Sequence, residues 1–325
     1  MIGFFWRKMA RLTLLLAAVC TFSFILVNLS PIDPVDAYVG ADMLSIGAEQ
    51  RERIAERWGL HDPSLVRFWR WASEIARGNL GRSAIFNRPV VEVIADRFVA
   101  SLWLMGAAWI VSGVLGFVLG VLAGARPNSL LDRAIRLYSY TLASTPTFWM
   151  GLLLLIVFAV WLRAAPVCCA TPPGAAPEDV SFWQRVHHLL LPAATLSVIG
   201  IAGVALHTRQ KLLEVAQSDY FLFARAQGEG TWGLIWHHGL RNVALPAITL
   251  QFASFSELFG GSVLAEQVFA YPGLGQATVQ AGLRGDVPLL LGIVLFSTVF
   301  VFTGNTLADL AYRLIDPRIR QGGEA

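Results

Sequence analysis

Long apolar stretches separated by polar segments recur six times along this chain of 325 residues. Each stretch is about as long as a helix needs to be to cross the hydrocarbon core of a bilayer. The six stretches are residues 12–29, 99–123, 138–162, 189–206, 243–264 and 287–310. This pattern predicts an all-α integral membrane protein with six transmembrane helices.

The first apolar stretch is expected to be retained. It is long for the core of a signal peptide, and it has no clear small-residue cleavage site. Cys20 lies inside this run, where the larger Val19 before it and the apolar residues after it argue against lipid attachment.

Lysines and arginines are unevenly distributed among the polar segments. Residues 1–11, 124–137, 207–242 and 311–325 together hold 13 of them, whereas the two short opposite loops, 163–188 and 265–286, hold 3. Because basic residues are retained on the cytoplasmic side, both termini and the loop 207–242 are expected in the cytoplasm.

The polar segment after the first span is then extracytoplasmic, and with that span it forms a predicted first unit, residues 1–98. Apolar periodicity predicts amphipathic helices over 48–58 and 64–77. The second helix has an apolar side composed of Leu65, Phe68, Trp69, Ala72 and Ile75. These helices either cap the outer mouth of a pore or lie on the membrane surface, and the pattern leaves both open.

A five-helix core is predicted over 99–313, followed by a cytoplasmic tail, 314–325. Inside this core, Asp219 to Gln227 forms a predicted helix that Ser218 or Asp219 can cap and that Gly228 ends. Tyr220, Phe223 and Ala224 are expected on one face of it.

After the glycines at 228 and 230 a second short helical pattern contains Trp232, Ile235 and Trp236. Two short helices hinged on glycine between two spans are suited to docking on a partner. The alternative is that they only lie in the membrane interface.

Composition narrows the possible function classes. Hydrophobic residues make up 55% of the chain and charged residues 14%, with a mean hydropathy of +0.58. The net charge of +3 and the scattered basic residues do not suit nucleic-acid binding.

No nucleotide site or catalytic centre is evident. Lys8 and Lys211 are the only lysines, and neither completes the Gly-Lys-Ser/Thr of a phosphate-binding P-loop. The six histidines lie in loops or at span ends rather than at membrane depth. We therefore predict a protein that is not an enzyme and that binds no cofactor itself.

Glu257 is the one acidic residue well inside a predicted span, with Gly260 and Gly261 one turn further on. One hypothesis makes it a proton or substrate contact, as in an ion-coupled secondary carrier. The other makes it a helix–helix hydrogen bond at a closely packed glycine interface.

Cys168 and Cys169 share an extracytoplasmic loop with His187 and His188. Thiolates and imidazoles are ligands for borderline metals, but this spacing matches no standard site. A bridge between the adjacent cysteines would be strained, so no disulfide and no metal site is predicted, and a role for these four residues stays open.

Seven stretches resemble the permeases of binding-protein-dependent ABC importers, most of all the peptide/nickel branch (the dipeptide and oligopeptide permease B type). They occur in the same order as in that branch, along nearly the whole chain. These stretches are Ser30–Val35, Leu60–Pro63, Ala224–Gly228, His238–Asn242, Leu245–Pro246, Glu266–Gly275 and Asp316–Arg320.

This resemblance implies the type I ABC importer transmembrane fold, inside the bacterial cytoplasmic (inner) membrane. It implies a second, homologous permease subunit, two cytoplasmic ABC ATPases that hold ATP and Mg, and an extracytoplasmic solute-binding protein. The chain itself would contact only these proteins and lipid, and no nucleic acid.

The resemblance also assigns roles to residues. It makes 207–242 the coupling loop, and Pro246 is expected to stop the helix before the fifth span. The residues implied to couple to the ATPase are Asp219, Tyr220, Phe223, Ala224, Arg225, Ala226, Gly228, Arg241, Asn242 and Pro246. The candidates for the translocation pathway are Glu257, Gly260, Gly261 and Glu266.

The solute expected from the resemblance is a di- or oligopeptide. Nickel or a metal–chelator complex is the alternative within the same branch. The outer turn Tyr271–Gly275 is predicted to be structural, with Pro272 and Gly273 at its centre.

Overall fold

The computed structural model describes residues 2–29, 47, 49, 53, 56, 62–175 and 179–315. The helices over these residues are α1 (Ile2–Leu29), α2 (Ser64–Ala76), α3 (Val90–Ala125), α4 (Leu130–Ala143), α5 (Thr147–Leu154), α6 (Phe182–Ala216), α7 (Asp219–Ala226), α8 (Thr231–Leu234), α9 (Leu240–Ala253), α10 (Phe255–Val268), α11 (Leu274–Arg284) and α12 (Val287–Ile315). π-Helical turns Leu155–Trp161 and Ile235–Gly239 continue α5 and α8. The predicted all-α fold is confirmed. The helix over 48–58, the stretch Ser30–Val35 and the stretch Asp316–Arg320 lie wholly or largely outside the described residues.

Four helices are long and apolar enough to cross a membrane, namely α1, α3, α6 and α12. Two further helix pairs pass the same test together but are bent, α4 with α5 by 112° and α8–α9 with α10 by 51°. The described part of the chain thus has four continuous spans, or up to six if each bent pair crosses once. The stretches 138–162 and 243–264, each expected to be one spanning helix, are therefore helix pairs with a bend.

The sharper bend lies at Ser144–Pro146 and has a local cause. Pro146 has no backbone N–H to continue α4, and it disfavours helical backbone at Thr145 before it. The Thr145 hydroxyl also donates to the Thr141 carbonyl over 2.8 Å. The 51° bend lies at Ser254, whose hydroxyl donates to the Gln251 carbonyl over 3.0 Å. Such back-bonding is a known cause of helix bending.

The chain divides into two compact units, residues 1–100 with 273–302 and residues 101–272 with 303–325. In the first unit α2 packs on α1, with Phe24 lying 5.2 Å from Phe68 and 5.9 Å from Trp71 between ring centroids. Of the predicted apolar side of this helix, Phe68, Ala72 and Ile75 are half-buried, whereas Leu65 and Trp69 are exposed.

Asp286 ties a loop of the first unit to the start of α12. Its buried carboxylate accepts hydrogen bonds from the Ser83 hydroxyl at 2.5 Å and from the Ile85 N–H at 3.0 Å. Its other oxygen accepts from the Leu289 N–H, within the first turn of α12, at 3.2 Å. Both oxygens of this buried carboxylate thus accept hydrogen bonds.

In the second unit, glycines every four residues on α3 let α6 approach closely. A Cβ added to Gly116 would lie 2.6 Å from the Cβ of Val204, and one added to Gly120 would lie 2.5 Å from the Cβ of Thr208. Close approach over small residues is how helices associate where lipid removes the hydrophobic driving force.

We expect Gly120→Val to destabilise the protein by about 1–3 kcal/mol or more, because its side chain meets the Ala205 carbonyl as well as Thr208. The measurement is the midpoint of thermal unfolding of the purified protein in detergent. Gly106→Val on the same helix is the matched control, since a Cβ at Gly106 meets no atom within 4 Å. Equal losses in both variants would contradict the close α3–α6 contact.

Candidate functional site

The polar segment after α6 begins with α7, the helix predicted over 219–227. Ser218 is its N-cap residue, but the Ser218 hydroxyl donates to the Val215 carbonyl at 2.5 Å and caps no N–H of α7. Asp219 lies in the first turn, where a negative charge suits the helix N-terminus. Gly228 adopts a φ of +89°, which ends the helix as predicted and favours glycine at this position.

One side of α7 is buried in a cluster that joins it to four other helices and a π-turn. Phe221 and Ala224 are 6% and 5% exposed, respectively. The cluster members are Val121, Leu212, Val215, Phe221, Ala224, Leu234, Ile235 and Val243. The short helix is therefore fixed to α6 before it, to α8 and α9 after it, and to α3.

The opposite side of α7 and the following segment expose large apolar side chains. Phe223 is 67% exposed and Tyr220 45%, while Trp236 is 74% and Trp232 50% exposed. We call these four side chains the coupling surface. The prediction that Ala224 shares the face of Tyr220 and Phe223 is wrong, because Ala224 faces the buried cluster with Phe221, three residues before it.

Polar contacts hold the two halves of this segment together. The Asn242 side chain donates to the Tyr220 hydroxyl at 3.0 Å and to the His238 carbonyl at 2.9 Å. His238 in turn lies 3.3 Å from the Glu229 carboxylate. Two residues of the predicted coupling set, Tyr220 and Asn242, are thus brought into contact across 22 positions of sequence.

The other predicted coupling residues differ in position. Asp219, Arg225, Ala226, Gly228 and Arg241 are exposed. Pro246 lies inside α9, and the expectation that it stops the helix is wrong. It removes one N–H donor from this helix, yet the backbone stays helical from Leu240 to Ala253.

A buried ion pair between α4 and α6 was missed from the sequence. Arg209 on α6 donates to both carboxylate oxygens of Asp132 on α4, at 2.5 and 2.8 Å. The Asp132 side chain is 0% exposed and also accepts from the Asn128 N–H at 2.9 Å. The sequence around α4 indicates only a helix cap, in which the Ser129 hydroxyl accepts a hydrogen bond from the Asp132 N–H. It gives no sign of the ion pair, because Arg209 lies 77 residues away.

The four candidates for the translocation pathway lie on α10 but not in one environment. Glu257 and Gly260 are exposed and Gly261 is half-buried, whereas Glu266 is fully buried. The Glu266 carboxylate accepts a hydrogen bond of 2.6 Å from the Ser101 hydroxyl. Burial and the nearby Glu266 carboxylate raise the pKa of Tyr271, in the outer turn, to about 12.

A closely packed glycine interface around Glu257 is not present among the described residues. A Cβ on Gly260 would meet nothing within 4 Å, and one on Gly261 would meet only Leu196, at 3.5 Å. The close glycine contacts of this unit lie instead between α3 and α6. The outer turn also differs from its prediction, because Gly273 is the N-cap residue of α11 rather than the centre of a tight turn.

The adjacent cysteines form a disulfide, which corrects the expectation that they would not pair. Cys169 adopts a φ of +73°, and its N–H donates to the Phe269 carbonyl at 2.9 Å. The His188 ring lies 3.0 Å from the Cys168 carbonyl, and the His187 ring 3.2 Å from the Ala164 carbonyl. The disulfide engages both sulfurs, and a backbone carbonyl lies beside one ring nitrogen of each histidine.

Comparison with known proteins identifies what these features are similar to. The family described as "binding-protein-dependent transport system inner membrane component" matches residues 116–321, well over half of the chain. The oligopeptide transport system permease protein AppB of Bacillus subtilis is 34% identical over 308 residues, which cover 94% of this chain and 95% of AppB. A probable peptide ABC transporter permease protein of Sinorhizobium fredii, y4tP, is 37% identical over 97% of this chain and 98% of its own length.

Solved structures share the fold at lower identity. A chain of the MetNI methionine ABC transporter in an inward-facing conformation matches with a TM-score of 0.50 at 18% identity, over 68% of this chain and 96% of its own. A chain of an amino acid ABC transporter crystallised with histidines matches with a TM-score of 0.51 at 14% identity, over 69% of this chain and 94% of its own. The fold of the compared region is therefore that of an ABC importer permease.

Proposed function

Because this chain belongs to the family of binding-protein-dependent transport system inner membrane components, we propose that it forms half of the pore of an ATP-driven peptide importer. It is an integral inner-membrane permease subunit, and a second, similar permease completes the pore. ATP and Mg are bound and used by two partner ATPases, and a solute-binding protein delivers the peptide from outside.

The coupling surface carries the proposal that an ATPase docks on this chain. Four exposed aromatic side chains on a polar segment between spans are costly in water and are the residue types that dominate protein interfaces. Basic residues are in excess in 207–242 and in the other segments expected on the same side, 1–11, 124–137 and 311–325. This excess supports a cytoplasmic position for the coupling surface, on the side where ATP is available.

The buried cluster supplies the mechanical link from the docking surface to the spans. Phe221 and Ala224 share it with residues of α6 and α9, so α7 is packed against both spans. When the ATPases close on ATP, a displacement of α7 is therefore passed to α6 and α9 rather than absorbed in a loose loop. Rocking of these spans alternately opens the pore to the two sides of the membrane.

Peptides are the solute class we propose, since AppB and y4tP carry oligopeptide and peptide transport in their names and match nearly the whole chain. The nickel or metal–chelator alternative has no such support from these two relatives, and Cys168 and Cys169 are joined in a disulfide rather than free as thiolates. An ion-coupled carrier would have no ATPase partner, so the presence or absence of an ATPase distinguishes it from an importer.

The test is purification of the tagged chain from its native membrane in mild detergent, followed by reconstitution with the proteins that accompany it. We expect two P-loop ATPases and a second permease in the complex, and peptide uptake into liposomes that requires ATP. A chain that purifies alone, and whose transport follows an ion gradient without ATP, would contradict the proposal.

A further inference from the structure

A cavity of about 220 Å³ lies inside the second unit, near the middle of the predicted spans. Its walls come from α3, α5, α6, α9 and α10. The polar or small residues that line it include Ser112, Thr147, Gly200, Ser254, Glu257 and Gly261.

Both bent spans contribute to this cavity at the place where they bend. Thr147 is the first residue of α5 after the 112° bend, and Ser254 lies at the 51° bend between α9 and α10. Interrupted helices at membrane depth are tolerated where they line a cavity, and in transporters they build solute sites. Two independent helix interruptions therefore meet at one cavity.

Glu257 is the charged group of this cavity, and within the described residues no hydrogen bond or ion pair engages its carboxylate. The buried acidic side chains among the described residues are matched: Asp132 with Arg209, Glu266 with Ser101 and Asp286 with Ser83. No basic side chain is among the described residues that line the cavity.

A carboxylate at this depth is costly unless a positive group pairs with it. We infer that Glu257 binds the ammonium group of the solute while it passes through the pore. The inference rests on the proposed import of peptides, whose α-ammonium or lysine ammonium supplies the positive charge. Thr147 also lines this cavity, and its hydroxyl has no hydrogen-bond partner among the described residues. We expect this hydroxyl to contact peptide groups of the solute.

The test uses the complete importer in proteoliposomes, with the binding protein saturated by each peptide in turn. The probes are trialanine, N-acetyl-trialanine and N-acetyl-Ala-Lys-Ala. We expect Glu257→Gln to lower the initial rate of ATP-driven trialanine uptake about tenfold, since a charge-assisted contact is lost. ATPase activity stimulated by the loaded binding protein should stay as in the wild type.

The acetylated probes identify which ammonium is bound. If the α-ammonium is the ligand, both acetylated peptides are insensitive to E257Q; if any ammonium suffices, the lysine peptide loses its uptake as trialanine does. Glu257→Asp keeps the charge and should keep most of the uptake. Glu92→Gln, at the exposed start of α3, is the matched control and should leave the rate of trialanine uptake unchanged.

Three outcomes have distinct meanings. Equal trialanine uptake by the wild type and E257Q overturns the inference and leaves peptide import intact. Loss of the second permease from the E257Q complex also overturns it, because Glu257 would then pair across the permease interface. If the wild type shows no ATP-driven uptake of any peptide, the proposed function itself fails.

Discussion

Replacing Phe223 by Asp is expected to abolish ATP-driven uptake while the protein still inserts and folds. The Phe223 side chain is 67% exposed, so the substitution removes almost no internal packing. In a complex the same ring would lie in a groove of the ATPase, where loss of a central aromatic residue costs about 2 kcal/mol or more and a buried charge adds to that cost. This corresponds to at least about 30-fold weaker association.

The measurements are ATPase retention during purification, uptake into liposomes and the midpoint of thermal unfolding. Phe182→Asp is the matched control, because Phe182 is 65% exposed but begins α6, at its end far from α7 in sequence. Phe221→Asp is the opposite control and should lower thermal stability, since Phe221 belongs to the buried cluster. Normal uptake by the Phe223 variant at normal membrane levels would refute docking through the coupling surface.

Replacing Asp132 by Ala is expected to cause a large loss of thermal stability. It leaves the Arg209 guanidinium, whose side chain is only 14% exposed, without its bidentate partner. Removal of one member of a buried ion pair typically costs about 3–5 kcal/mol. Arg136, 3.5 Å from the same carboxylate, loses a contact as well.

The experiment compares Asp132→Ala with the double variant Asp132→Leu, Arg209→Met by thermal unfolding in detergent. The double variant removes both charges and should recover much of the loss, because no unpaired charge remains. The exposed pair Lys211–Glu214 on the same helix supplies the control, and Glu214→Gln should leave the midpoint unchanged. If the double variant is as unstable as Asp132→Ala, the ion pair is not the cause.

The prediction of the fold succeeded where local pattern decides structure. Long apolar runs specify spanning helices whatever their neighbours are, and Gly228 ends α7 because a φ of +89° favours glycine. The bends were missed for different reasons. Pro146 is a residue type that indicates a helix break, although the span prediction ran through it. Ser254 gives no such indication, because the bend there accompanies a hydrogen bond to the Gln251 carbonyl that many serines do not make.

The site was predicted less completely, because several side chains fit the local helical pattern equally well and tertiary packing decides which of them is buried. Either Tyr220 or Phe221 could have faced the core with Ala224, and the packing against Leu212 and Val243 decided for Phe221. The Asp132–Arg209 pair joins residues far apart in sequence, and no periodicity connects them. Cys169 in the Cys168–Cys169 disulfide has a left-handed backbone, which residue type alone does not indicate.

The central claim is that α7 and its exposed aromatic side chains contact an ATPase, and site-specific photo-cross-linking tests it most directly. Benzoyl-phenylalanine would replace Phe223 in one variant and Phe182 in another, both irradiated in native membranes, with the cross-linked partners identified by mass spectrometry. The account predicts a P-loop ATPase joined to position 223 and none joined to position 182. Cross-links from position 223 to lipid alone, at normal membrane levels of the protein, would contradict it.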